Sequence, residues 1–208
     1  MKPVIFMDWD GTIADSMKLC IEEVRYALSS LNLPVPPDRE LMKCNGPTNE
    51  ESIPLMHVPE ALGESYLALR AKASLELLEK YQRIFPGMKE MLLRVQNDVR
   101  LIVVSNGNQS YLEKSAAFLG VTDCFERLQG FRDGYTKAEN IAILLEEIKP
   151  EKAVMVGDRA GDMKSGKANH LPTISACYGY GSPEEWAMAD EQAYSVEQLE
   201  KMILKFAE

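Results

Sequence analysis

Four short apolar runs divide the chain: Val4–Met7, Leu101–Val104, Ala153–Val156 and Thr173–Cys177. Each is rich in Val, Ile or other apolar residues without regular polar alternation, the pattern of strands buried on both faces of a sheet. Between them the apolar period lengthens. Positions 88, 91, 92 and 95 line one side of a segment from Met88 to Gln96, and Tyr111–Leu119 and Ala138–Ile148 repeat that spacing. These are amphipathic helices, and Pro150 stops the last of them. Gln198–Phe206 reads as a closing helix. Strands alternating with helices predict an α/β fold, a doubly wound, Rossmann-like parallel sheet.

The stretch from Asp15 to about Arg83 departs from this rhythm. Ser16–Leu31 has apolar residues at 17, 21, 24 and 28, and Glu60–Tyr81 is helical in pattern. Pro34, Pro36 and Pro37 form a linker after the first of these. A plain βα connection takes about 2–6 residues, so this insertion is expected to be a small all-helical cap domain. The expected division is a core of residues 1–15 and 84–208 and a cap of residues 16–83, left through Phe85-Pro86-Gly87.

Composition excludes several classes. With 46% hydrophobic and 26% charged residues over 208 positions, the chain has the makeup of a folded globular protein. Its net charge of −9 repels nucleic acid and anionic lipid, so neither is an expected partner. Cys20, Cys44, Cys124 and Cys177 form no CxxC pair and no zinc spacing; they read as reduced thiols. No apolar run approaches the roughly 20 residues of a membrane span, and Val4–Met7 is too short for a signal peptide. A cytoplasmic location is expected.

Ligands of open parallel sheets bind at the carboxyl ends of the strands, and polar residues collect there. Asp8, Asp10, Gly11 and Thr12 follow the first run; Ser105, Asn106 and Gly107 the second; Gly157, Asp158 and Asp162 the third. Any one group alone is an ordinary turn or helix cap. Four carboxylates converging on one place repel one another, and a divalent cation relieves that repulsion. Oxygen ligands favour Mg2+ over zinc. His57 and His170 lie away from these strand ends.

These segments together resemble the haloacid dehalogenase superfamily, over nearly the whole chain. The resemblance rests on Asp8-Trp9-Asp10-Gly11-Thr12, Ser105 after Leu-Ile-Val-Val, Lys137 in Gly134-Tyr135-Thr136-Lys137, and Gly157-Asp158-Arg159-Ala160-Gly161-Asp162. The helical insertion is similar to the superfamily's first type of cap. Gly179-Tyr180-Gly181-Ser182 followed by Glu184-Glu185 resembles its phosphoglycolate phosphatase branch.

The resemblance implies a Mg2+-dependent phosphatase acting on a small phosphorylated metabolite. Asp8 is the implied nucleophile and Asp10 the acid–base. Ser105 and the backbone amide of Asn106 are implied to hold phosphoryl oxygens, with Gly11 and Thr12 also in the substrate site. Lys137 neutralises charge, Asp158 ligates the metal with the Asp8 side chain and the Asp10 carbonyl, and Asp162 orients the site. Trp9 packs in the core, and Arg159 either reaches phosphate or lies on the surface.

Other activities of the superfamily are weighed on the same residues. A 2-haloacid dehalogenase needs no acid for a leaving alcohol, so Asp10 argues for phosphoryl transfer. A sugar-phosphate mutase is expected to carry a His where the chain enters the cap, and Asp15-Ser16-Met17-Lys18 has none. A non-enzymatic binding protein would not require four intact motifs. In the cap, the loop Lys43–Glu50 is placed to read the leaving group, and Lys43 either meets a carboxylate such as that of 2-phosphoglycolate or is solvated. The sequence does not separate a monomer from a homodimer.

Overall fold

The computed structural model describes residues 2–208. β1 (Val4–Met7) forms the centre of a six-stranded parallel sheet with β4 (Arg100–Val104), β5 (Arg127–Gln129), β6 (Ala153–Gly157), β7 (Thr173–Ala176) and β8 (Glu191–Ala193). Their order is β5-β4-β1-β6-β7-β8. From β1 the chain builds outward to β4 and β5, then crosses back to place β6 on the other side of β1. The order therefore reverses at β1, where such sheets leave a crevice.

The central strands are buried on both faces, as their lack of alternation predicts. Ile5 and Met7 join Leu101, Val103, Val154 and Val156 in one core. Helices α6 (Met88–Val95), α7 (Gln109–Leu119) and α11 (Val196–Ala207) supply Leu92, Leu112 and Leu199 to it. Val4 and Phe6 face the opposite way, with Ile102, Val104 and Met155, under Ile141 and Leu144 of α8 (Lys137–Ile148). The period-2 geometry of a strand thus splits four consecutive apolar residues between two cores. Trp9, just beyond β1, is fully buried and donates its indole N–H to Ser115 Oγ at 3.0 Å.

The insertion is helical throughout. It contains α1 (Met17–Ser30), α2 (Asp38–Leu41), α3 (Ser52–Leu55), α4 (Gly63–Glu76) and α5 (Leu78–Tyr81), with short 3-10 turns at Met42–Cys44 and Glu60–Leu62. Val24, Leu28, Leu41 and Tyr66 form a hydrophobic cluster of its own. Where the chain enters and leaves, β2 (Ala14–Asp15) pairs antiparallel with β3 (Arg83–Ile84). This two-residue ribbon ties the ends of a long excursion together, so the helices sit over the carboxyl end of β1.

Two remaining helices lie beside the site: α9 (Ala160–Ala168) after β6, and the single turn α10 (Pro183–Trp186) before β8. The four cysteines are buried free thiols. Among the described residues no helix is long and apolar enough to cross a membrane.

Candidate active site

Register brings the polar strand ends together. Met7 pairs with Val103 on one side and Val156 on the other. Asp8 therefore leaves the sheet level with the last residues of β4 and β6, and Ser105 and Asp158 follow one step on. Asp8, Asp158 and Asp162 are buried, and each brings a carboxylate oxygen within 4.8 Å of the other two.

One ammonium enters this group. Lys137, the first residue of α8, donates to Asp8 Oδ1 at 2.7 Å and to Asp162 Oδ1 at 2.6 Å. A capping box formed by Thr136 and Glu139 sets the start of α8 and so the place of Lys137. The other Asp162 oxygen accepts the Arg159 backbone N–H at 3.0 Å. Asp162 is thereby occupied on both oxygens, which suits an orienting part.

Three buried carboxylates against one ammonium leave an excess of negative charge. Burial, followed by the field of Asp162, raises Asp8 to about 7, although Lys137 pulls the other way. Asp158 is raised well above the carboxylate range by burial, then by Asp8 and Asp162. The two aspartates bound to it also raise Lys137, against the opposing effect of burial. Such a donor set, all oxygen and electrostatically unsatisfied, fits a hard divalent cation.

Asp158 is held by its surroundings. Its Oδ2 accepts the Tyr180 N–H at 2.7 Å, and its Oδ1 accepts the Thr12 hydroxyl at 3.3 Å. Gly11 has φ +89, and a Cβ there would lie 2.3 Å from Asp158 Oδ2. Only glycine combines that backbone angle with that approach. Gly11 and Thr12, expected in the substrate site, both pack on Asp158. The Gly179–Ser182 segment does the same: a Cβ on Gly179 would lie 2.4 Å from the Asp158 Cβ.

Asp10 faces a different direction. Its Oδ1 accepts the Tyr111 hydroxyl at 2.6 Å. Burial raises its pKa, while hydrogen bonds from Ser16 and Tyr111 partly offset the rise. Ser105 is buried beside it, its hydroxyl accepting the Gly107 N–H at 3.0 Å. The Asn106 side chain reaches to the cap, donating to the Gly46 carbonyl at 2.9 Å. Arg159 joins that contact, donating to the Asn45 carbonyl at 2.8 Å while paired with Glu185 at 3.1 Å. Arg159 thus bridges core to cap while bordering the outer cavity.

Two cavities meet at Asp8. The outer one, about 690 Å³, is bordered by Lys137, Asp162, Arg159 and the cap residues Pro47 and Leu55. The inner one, about 60 Å³, lies between Asp10, Ser105 and Tyr111 of the core and Glu23, Asn45 and Arg70 of the cap.

The haloacid dehalogenase-like hydrolase family profile matches residues 4–176, and so takes in every one of these strand-end carboxylates. The chain belongs to the haloacid dehalogenase-like hydrolases. It is 26% identical over 184 residues to the tyrosine-protein kinase PtkA of Mycobacterium tuberculosis, covering 86% of this chain and 63% of PtkA. The chain thus spans less than two thirds of that relative's length. It is 27% identical over 193 residues to the phosphoglycolate phosphatase of Nitrosococcus oceani, covering 85% of this chain and 84% of that protein. A predicted phosphatase from Clostridium acetobutylicum shares the fold, with a TM-score of 0.89, 23% identity and 99% of each chain covered.

Of the two alternatives for Lys43, the structure shows the solvated one. Its side chain is 59% exposed, pairs with Glu40 at 2.6 Å and borders neither cavity. Lys43 lies in a 3-10 turn whose buried residue is Cys44, so the lysine points outward. The cap cation that does reach the inner cavity is Arg70, on α4, which the sequence reading passed over. Nothing in its helical context distinguishes it from a solvated arginine. Tyr111 likewise fits the apolar periodicity of its helix, which hides its hydroxyl's part at Asp10.

Proposed function

We propose that this hydrolase is a Mg2+-dependent phosphomonoesterase, working on a small phosphorylated metabolite through an aspartyl-phosphate on Asp8. The observation that carries the reading is the division of labour between two neighbouring carboxylates. Asp8 borders both cavities, whereas Asp10 borders the inner one alone, protonation-prone and oriented by Tyr111. A leaving alkoxide needs such an acid; halide departure does not.

In this mechanism an Asp8 carboxylate oxygen attacks phosphorus as the bond to the leaving oxygen breaks. That oxygen takes the proton of Asp10 and departs as an alcohol. Asp10 then removes a proton from water, which attacks the aspartyl-phosphate, releases phosphate and regenerates Asp8. Ser105 and the Asn106 backbone amide would hold phosphoryl oxygens, and Lys137 would balance the charge on Asp8. Magnesium held by Asp8, Asp158 and the Asp10 carbonyl would supply further positive charge to the phosphoryl oxygens. The acid Asp10 disfavours the dehalogenase alternative.

The phosphoglycolate phosphatase relative supports a leaving group of a few atoms. The test is phosphate release from a panel containing phosphoglycolate, sugar phosphates, nucleotides and acetyl phosphate, with chloroacetate as a control. Turnover should stop with EDTA, return with magnesium and vanish in Asp8→Asn. Activity that survives the chelator, or halide release from chloroacetate, overturns the proposal.

A further inference from the structure

The mechanism above leaves one buried charged pair unused. Arg70 of α4 is 3% exposed and hydrogen-bonded to Glu23 of α1 and, at 2.8 Å, to Ser52 Oγ. Both members of the pair border the inner cavity, opposite Asp10. Withdrawing two charged groups from water carries a desolvation penalty that their attraction must offset. An apolar pair would hold α1 against α4 without that penalty, so the position itself invites a role in recognition.

The cavity's charge inventory limits what it can take. Arg70 is the sole cation among its described lining residues, and Glu23 already neutralises it. Asp8, Asp10 and Glu23 supply the negative side. A carboxylate entering here would meet no uncompensated positive charge at the cap end. Lys43, the other candidate for that task, is outside.

The hydrogen-bonding inventory adds a second constraint. The Glu23 carboxylate borders the cavity as an acceptor, which a hydroxyl can donate to and an ionised carboxylate cannot. Size is the third constraint. A cavity of about 60 Å³ admits only a small group of a few non-hydrogen atoms.

We propose that the Glu23–Arg70 pair is the leaving-group reader of this enzyme, selecting a small, uncharged, hydroxyl-bearing fragment of two or three carbons over a carboxylate of the same size. The assignment rests on the phosphatase reading, with Asp10 delivering its proton into the same cavity. Glu23 serves two ends: it keeps Arg70 from attracting anions, and it presents an acceptor to a substrate hydroxyl.

The experiment compares kcat/KM for glycerol 1-phosphate and 2-phosphoglycolate in the magnesium-loaded, full-length protein, with acetyl phosphate as a probe that leaves the cap pair uninvolved. The wild type should favour glycerol 1-phosphate by tenfold or more. Glu23→Gln keeps the shape and the acceptor but uncovers the charge of Arg70, so the ratio should move toward phosphoglycolate by at least tenfold. A wild-type preference for phosphoglycolate overturns the proposal, as does an unmoved ratio in a folded Glu23→Gln protein. If that variant does not fold, the wild-type ratio decides alone. Phosphate release from other members of the panel but from none of these three overturns this assignment alone; absence of release from the whole panel sinks the phosphatase reading and this assignment with it.

Discussion

Asp8→Asn should abolish turnover and, in metal-free protein above neutral pH, make the fold more stable. The Asp8 carboxyl is raised from 3.8 to about 7, first by burial and then by Asp162, with Lys137 opposing. Between those values the folded chain keeps a proton that the unfolded chain has released. Folding takes up a proton in that window, so stability falls as pH rises from about 4 to about 7 and stays low above it. The gap of about 3 pH units, at about 1.4 kcal/mol each, is worth about 4 kcal/mol. This is an upper limit, because Asp158 shares in the same titration. Asparagine has the shape without the charge, and Lys137 keeps Asp162 as its partner at 2.6 Å. Urea unfolding in EDTA at several pH values checks this. The variant should exceed the wild type by about 2–4 kcal/mol at pH 8 and approach it near pH 4. Added magnesium should raise wild-type stability by binding the folded state and raise the variant less. A variant as pH-sensitive as the wild type, or weaker at pH 8, would refute this account of the carboxylate cluster.

Other substitutions probe the neighbouring contacts. Gly11→Ala forces a Cβ to 2.3 Å from Asp158 Oδ2 at a φ of +89; isothermal titration should show magnesium affinity falling at least tenfold, with about 1–3 kcal/mol lost in urea unfolding. Tyr111→Phe removes the donor at 2.6 Å from Asp10. A charge-assisted bond is worth about 1.5–3 kcal/mol, so steady-state kinetics should show kcat down about tenfold or more and KM little changed. Lys43→Ala loses only an exposed, solvent-screened pair with Glu40; its kcat/KM on any substrate should stay within about twofold of the wild type.

The buried strands were legible because burial on both faces leaves an unbroken apolar run, as in Val4–Met7 and Ala153–Val156. The edge strands β5 and β8 were not. Arg127-Leu128-Gln129 and Glu191-Gln192-Ala193 are short, partly exposed and mostly polar, as edges that must resist further pairing tend to be. The helical insertion was legible from periodicity, but the β2–β3 ribbon at its base is two residues per strand, too short to leave a period.

The carboxylates at the strand ends were determined by the sequence itself, since chain order and strand polarity put the residue after each parallel strand at the same end of the sheet. Lys137 joined them there only by resemblance until its two contacts were seen. What tertiary structure alone decided is the direction of side chains across the cap. Lys43 and Arg70 are both basic residues in helical surroundings, yet one turns to solvent and the other is buried against Glu23, 47 positions away in the chain. Local pattern describes which face of a helix is apolar; it does not contain the packing of α1 against α4, and that packing shapes the inner cavity.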